Sequence, residues 1–167
     1  QTCALPIWRM NISDSAIIGN SALREGAIVA FSSNVSISSS FFGSNTCKRR
    51  GGVASFLRSS NTIITSVQFQ NNSASSGGAL FFEDSYGTQI PLTANGQEAS
   101  PVIEQNASVS RPSPESIVSV EQKSLEISHC LFEKNSAKRG GAISIRQWNN
   151  GKVTLHNCSF LENKLHK

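Results

Sequence analysis

The chain has 167 residues, of which 38% are apolar and 16% are charged, and its formal net charge is +4. This length allows one domain with a core, and abundant Ser, Asn and Gly favour turns and strands over helices. There is no dense basic helix of the kind that binds nucleic acid, and no apolar run approaches the about 20 residues that span a bilayer.

The first seven residues, QTCALPI, are unrelated to the rest of the chain. They resemble the translated end of a common sequencing adapter. We therefore interpret residues 1–7 as an assembly artefact, expect the chain to be a fragment, and attach no meaning to Cys3 or Pro6.

A short pattern recurs from residue 8 to residue 84 and again from residue 124 to residue 167. An apolar residue is followed three positions later by Asn and then, six or seven positions on, by Gly. The apolar residues are Ile17, Phe42, Phe69, Phe132 and Phe160. The matching residues are Asn20, Asn45, Asn72, Asn135 and Asn163, with Gly26, Gly52, Gly78 and Gly141. The glycines are spaced by 26, 26 and 63 residues, so the repeat is about 26 residues long with one insertion.

The local periodicity of the repeat is that of strands. Apolar residues alternate, as in Leu125-Glu126-Ile127, and the runs are short and end at turn residues. We expect three strands and three corners per repeat, with each strand about 4.8 Å from its counterpart in the next turn. The sequence thus predicts an all-β parallel solenoid of about four to five turns.

The Asn and Gly positions have physical reasons. A corner residue often needs a positive φ, which Asn tolerates and Gly adopts freely. Stacked Asn amides can also form a hydrogen-bonded ladder along the axis. We therefore expect both residue types at the corners.

Residues 85–123 lack the pattern. They contain all the prolines beyond residue 7, including those of SRPSPES. We expect a long loop inserted at one corner, either a merely tolerated insertion or a functional loop.

The pairing of Phe-x-x-Asn with Gly-Gly-Ala-Ile or Gly-Gly-Ala-Leu resembles the repeats of chlamydial polymorphic outer membrane proteins. Similar repeats occur in surface β-helix proteins of protists and some animals. GGAL at 77–80 and GGAI at 140–143 match fully, whereas GGVA at 51–54 and EGAI at 25–28 match in part. The resemblance covers residues 10–84 and 124–167. It implies a right-handed parallel β-helix that is secreted or displayed at the cell surface, often as the passenger or stalk of an adhesin.

The leading hypothesis is therefore a non-enzymatic surface scaffold, and the alternative is a fragment of a β-helix polysaccharide lyase or glycoside hydrolase without its catalytic turns. Such enzymes need clustered carboxylates. Here Glu83 and Asp84 are the one adjacent acidic pair, and His129 and His156 lack a metal-ligand spacing with Cys. We predict no catalytic residue, metal or cofactor. Five Asn-x-Ser sequons would matter if a eukaryote secretes the chain: Asn11, Asn34, Asn71, Asn106 and Asn157.

Six basic residues fall just before the repeat glycines. They are Arg24, Lys48, Arg49, Arg50, Lys138 and Arg139, and we call them the basic strip. Stacked turns would align them along the axis, with Ser75 and Ser76 in the remaining turn. The strip either attracts anionic glycans or proteins of a host or neighbouring cell surface, or it is a solubilising edge without a ligand.

Because the repeat continues when residues 85–123 are skipped, we expect the insertion to be dispensable for folding. A chain without it should keep a β-type far-ultraviolet dichroism spectrum and a cooperative melt. An aggregated or unfolded product would show that the segment completes the core.

Overall fold

The computed structural model describes residues 8–59, 61–84, 123–148 and 151–166, which form a parallel β-solenoid of about four turns. Four sheets run along its axis, and each full turn contributes one strand to each sheet. The expectation of three strands per turn is therefore wrong. Strands of only two to six residues leave room for four strands and four corners in one turn. The described residues contain no helix.

The strands follow one another around the axis in a fixed order of sheets. Sheet A consists of β1 (Trp8–Ser13), β5 (Ser33–Ser38), β9 (Asn61–Thr65), β13 (Ser124–Ser128) and β17 (Lys152–His156). Sheet B consists of β2 (Ala16–Ile18), β6 (Phe41–Gly43), β10 (Gln68–Gln70), β14 (Leu131–Glu133) and β18 (Ser159–Leu161). Sheet C consists of β3 (Ser21–Ala22), β7 (Thr46–Cys47), β11 (Ser73–Ser76), β15 (Ser136–Arg139) and β19 (Lys164–Leu165). Sheet D consists of β4 (Ile28–Phe31), β8 (Ala54–Leu57), β12 (Leu80–Glu83) and β16 (Ile143–Arg146).

The register of the sheets places like residues on like, as the repeat predicted. Phe42, Phe69, Phe132 and Phe160 are paired in sheet B, with ring centroids 5.3, 4.8 and 4.8 Å apart and planes within 12° of parallel. The first three rings are fully buried. A second stack, Phe56 on Phe82 at 4.6 Å, fills the side of the core under sheet D. Offset stacking of this kind adds to the hydrophobic gain of burial.

The five repeat asparagines form a continuous ladder along the axis. The Nδ2 groups of Asn20, Asn45, Asn72 and Asn135 each donate to Oδ1 of the Asn in the next turn, at 3.0–3.1 Å. That Oδ1 also accepts from the backbone N–H of the same donor residue, at 2.9–3.1 Å. From the second turn on, Nδ2 also donates to the carbonyl of the apolar repeat residue one turn back, as Asn72 does to Phe42 at 3.0 Å. The amides of Asn45, Asn72 and Asn135 therefore use both donors and both acceptor sites.

The positive φ expected of the repeat asparagines lies instead on the residue before each of them. These residues are Gly19, Ser44, Asn71, Lys134 and Glu162, with φ between 51° and 69°. A second set precedes each sheet B strand at the other corner: Asp14, Ser39, Ser66, His129 and Asn157. The left-handed residue makes the turn, and the following Asn then points its amide into the ladder.

The two glycines of each pair have different structural roles. The first glycine of each pair has a positive φ, 53° at Gly51, 65° at Gly77 and 59° at Gly140. The second lies where successive turns approach most closely, because a Cβ on Gly78 would overlap the carbonyl oxygen of Gly141. The repeat glycines Gly26, Gly52, Gly78 and Gly141 are thus selected by close backbone contact and not by a positive φ.

The insertion begins and ends between two neighbouring positions of the solenoid. Residues 85–122 lie outside the described part of the chain, as do residues 1–7. Lys123 belongs to the solenoid, since its carbonyl accepts from Lys152 N at 2.9 Å. Its ammonium forms an ion pair with Asp84, which is fully buried. Residue 122 is therefore a better end for a designed deletion than residue 123.

Replacing Asn72 by Ala tests the ladder. The change leaves the buried Asn45 amide and the Phe42 carbonyl without their partners, so we expect the free energy of unfolding to fall by about 3–5 kcal/mol. Chemical denaturation of both chains measures the difference. Asn20→Ala is the matched control, since Asn20 is exposed at the end of the same ladder, and it should cost about 1 kcal/mol. Equal losses would show that the ladder contributes nothing beyond a single bond.

Candidate functional site

The basic strip lies along the corner between sheets C and D. Arg50 N donates to Arg24 O at 3.1 Å, Ser76 N donates to Arg49 O at 2.9 Å, and Ser76 pairs with Arg139 in sheet C. The strip residues therefore occupy corresponding positions of successive turns, with Ser75 and Ser76 between the basic residues of the second and fourth turns. Arg24, Lys48, Arg49, Lys138 and Arg139 are exposed.

Arg50 differs from the other strip residues because its charge is balanced. Its guanidinium lies 2.8 Å from Glu83 Oε2 and 3.8 Å from Glu25 Oε1. It also lies 5.2 Å from the ring centroid of Phe81, which is fully buried. Arg50 thus packs toward sheet D and is a structural ion-pair partner, so the surface available to an anion consists of the other five residues.

Two residues of the last turn, Lys164 and His166, lie beside this surface. Lys164 pairs with Ser136 in sheet C, and His166 follows Leu165 as Lys138 follows Ala137. Both Lys164 and His166 are exposed. Neither residue stands before a repeat glycine in the sequence, so the pattern that defines the basic strip does not include them. In the sequence these two residues can be recognised by their positions, one and three residues after the repeat residue Asn163.

The acidic residues considered for catalysis have structural partners. Glu83 accepts from Arg50 and lies 3.8 Å from Arg146, while Asp84 is paired with Lys123. Within the described ranges, no three His, Cys, Asp or Glu side chains are grouped so that they could hold a metal ion. His129 and His156 lie on the surface with ring centroids 5.7 Å apart, and His129 Nε2 is 3.2 Å from Asn157 Nδ2.

The sequons lie on the outside of the solenoid wherever the structure describes them. Asn11, Asn71 and Asn157 are exposed and Asn34 is half-buried, while Asn106 lies outside the described residues. None of them is a ladder residue, because the residue two positions after each ladder Asn is neither Ser nor Thr. Among the described residues there is no helix that is long and apolar enough to cross a membrane.

Cys130 and Cys158 occupy the same inward position in successive turns, and both are free thiols in the structure. The Cys130 thiol lies 3.1 Å from the Ser128 carbonyl, and the Cys158 thiol lies 3.3 Å from the His156 carbonyl. Burial raises the pKa of Cys130 to about 11. Cys130 is therefore a neutral core residue rather than a nucleophile at neutral pH.

A comparison of the chain with known protein families finds two matches, and both cover the same part of the repeat. The family model described as the Chlamydia polymorphic membrane protein repeat matches residues 66–83 and 129–146. Each match runs from just before a sheet B strand, through the ladder Asn and the glycine pair, to a sheet D strand. Two segments of this β-solenoid are thus similar to polymorphic-membrane-protein repeats, and repeats of this type suggest a surface protein. No curated protein and no solved structure matches the chain.

A Cys130→Val variant tests the buried thiol, since Val67 fills the same position one turn back. The folded-state pKa of Cys130 is raised, so its stabilising effect is full below the unfolded pKa of about 8.5 and is lost as the pH rises through about 11. We expect the parent to lose stability between pH 8.5 and 11 by more than Cys130→Val does. Identical pH profiles of the melting temperature would contradict the burial of a neutral thiol.

Thiol labelling gives an independent check of the same pair. In the denatured, unreduced protein both Cys130 and Cys158 should react, because neither is in a disulfide in the structure. If both residues resist labelling until reductant is added, the interpretation of Cys130 and Cys158 as stacked free thiols is wrong.

Proposed function

We propose that the chain is a non-enzymatic part of a secreted or cell-surface protein and acts as an adhesin-like passenger or display scaffold. The observation that carries the proposal is the pair of surface-protein repeats lying in register within one hydrogen-bonded solenoid. Such a solenoid presents its outward columns in fixed order along one axis. This is the geometry that a display scaffold needs.

The exposed part of the basic strip is the proposed contact surface. Arg24, Lys48 and Arg49 lie at one end, and Lys138 and Arg139 lie two turns further on. Turns about 4.8 Å apart give a row of cations parallel to the axis. A linear sulfated or carboxylated glycan fits this row, because its own charges repeat along one direction. Binding through exposed cations should be strongly screened by salt.

Retention on immobilised heparin tests the contact surface. A variant with Lys48, Arg49, Lys138 and Arg139 changed to Ser should elute earlier than the parent, by on the order of 0.1 M NaCl, since each residue is exposed. Arg50 stays unchanged, because its removal would leave Glu83 without its closest partner.

The control variant changes Arg9, Lys134, Arg146 and Lys152 to Ser, which removes the same number of positive charges from other surfaces. Lys134 and Arg146 are exposed partners of Glu133 and Glu83, and Glu83 keeps its closer partner Arg50. It should elute close to the parent. If both variants elute together, retention depends on net charge alone, and if neither differs from the parent, the strip is only a solvated edge.

A further inference from the structure

One phenylalanine of the second turn lies on the outer wall of the solenoid and not in the core. Phe41 is the outward-facing residue of β6, beside the inward-facing Phe42, and it is half-buried. In sheet B it is paired with Ala16 of the turn before and with Gln68 of the turn after. Phe41 belongs to neither of the two Phe stacks of the core. Its ring is therefore part of a side surface that has a turn on either side of it.

A glycine two residues later determines where this ring lies. A Cβ on Gly43 would be 2.7 Å from Cε1 and 2.9 Å from Cζ of Phe41, so the ring occupies the space of an outward side chain. Gly43 is buried although it faces outward, because the ring covers it. The ring thus leans across the outer surface of sheet B, with one side toward the backbone and the other toward solvent.

The repeat itself does not require a glycine at this position. The residues paired with Gly43 along sheet B are Ile18, Gln70, Glu133 and Leu161. Gly43 also has no positive φ that would select for glycine. A glycine inside a strand weakens the strand and often marks a place where a ligand approaches the backbone closely. We therefore attribute Gly43 to the position of the Phe41 ring.

Polar side chains without partners lie beside the ring. Asp14, Ser39 and Ser66 are the left-handed corner residues of three successive turns, and Gln68 is next to Phe41 in its column. All four are exposed, and their side chains bond to no other described residue. With Phe41 they line a shallow depression of about 600 Å³. An aromatic ring beside free hydroxyl, amide and carboxylate groups suits a sugar ring, which has apolar faces and a polar edge.

We propose that this depression binds one pyranose unit of a neutral, β-linked glycan of glucose type. The C–H face of the sugar packs on Phe41, because these C–H groups are partly positive and the face of an aromatic ring is partly negative. Equatorial hydroxyls at the sugar edge bond to Gln68 and to the corner serines. An axial hydroxyl would point into the ring, and a curved, α-linked chain would leave the wall.

The surroundings of Phe41 favour a sugar over a protein partner. Phe41 is the one large apolar residue of the depression, whereas the centre of a protein interface is more apolar. The site is also separate from the basic strip, since it adjoins the corner between sheets A and B and the strip lies between sheets C and D. The sugar site therefore does not depend on the proposed binding of anionic glycans.

Titration of the full chain with cellohexaose, a neutral β-linked glucose oligomer, tests the site by amide chemical shifts. The parent should bind with a dissociation constant on the order of 1 mM, and the shifts should centre on Phe41 and Gln68. Phe41→Leu should weaken binding at least about tenfold, because leucine is apolar but has no ring face. The fold should tolerate the change, since Leu131 occupies the same column two turns further on.

Two further variants separate ring stacking from general apolar contact. Gly43→Ala keeps Phe41 but places a Cβ where its ring lies, so the ring has to move and the affinity should fall about tenfold. Leu131→Ala is the matched control: it removes another half-buried, outward apolar side chain of the column, and it should bind like the parent. Because cellohexaose is uncharged, about 1 M NaCl should leave its affinity unchanged, in contrast to retention on heparin.

Three results would overturn the proposal. The first is a parent without shift changes at about 10 mM cellohexaose, where a site of this affinity would be about nine-tenths filled. The second is an affinity like that of the parent in both Phe41→Leu and Gly43→Ala, with a cooperative melt in each. The third is an equal response of the parent to maltohexaose, the α-linked oligomer of the same sugar.

Discussion

The asparagine ladder is the interaction on which the rest of the solenoid depends. A parallel stack can slip by one residue, which would turn every inward side chain outward. Apolar stacking alone resists slippage weakly where a column contains similar residues. The ladder amides cannot shift without leaving buried donors and acceptors unpaired, and each such group costs about 1–3 kcal/mol. Because each Asn bonds both neighbouring turns, the register set at Asn72 is passed on to Asn45 and Asn135.

The asparagine ladder also explains which positions next to it accept different residue types. The left-handed corner before each ladder Asn is occupied by Gly19, Ser44, Asn71, Lys134 and Glu162. A lysine and a glutamate there carry a backbone cost of about 1–2 kcal/mol each, which the ladder bonds of the adjoining Asn offset. The corner therefore needs a conformation but no particular side chain. The glycine of closest approach has no such freedom, because a backbone oxygen of the next turn lies where its Cβ would be.

The sequence correctly predicted which residues stack between turns, but the expected number of strands in each turn was wrong. Phe69 and Phe132 could be paired from spacing alone, since a repeated trio of apolar residue, Asn and Gly fixes a register across the 63-residue gap. The fourth strand was missed because sheet C contains strands as short as Ser21–Ala22 and Thr46–Cys47, which are too short to show alternation. The strip was found as a column, but the pairing of Arg50 with Glu83 depends on a side-chain direction that spacing does not encode. A positive φ was expected at the repeat Asn because Asn generally tolerates this conformation. In the structure the preceding residue adopts it, and the Asn amide forms the hydrogen bonds of the ladder.

The electrostatics of the corner between sheets C and D depend on which of its charged side chains are exposed and which are partly buried. Five exposed cations along one corner of the solenoid repel one another, and solvent at the surface screens this repulsion to a small cost. Ser75 and Ser76 interrupt the row in the third turn, which lowers the cost further. Arg50, the half-buried member, is the one that has acquired Glu83 and Glu25 as partners, because a charge removed from water needs compensation. Charges on the outer corner can therefore change from turn to turn without altering the core, so any binding specificity of the solenoid must reside in such outer columns and not in its repeat residues.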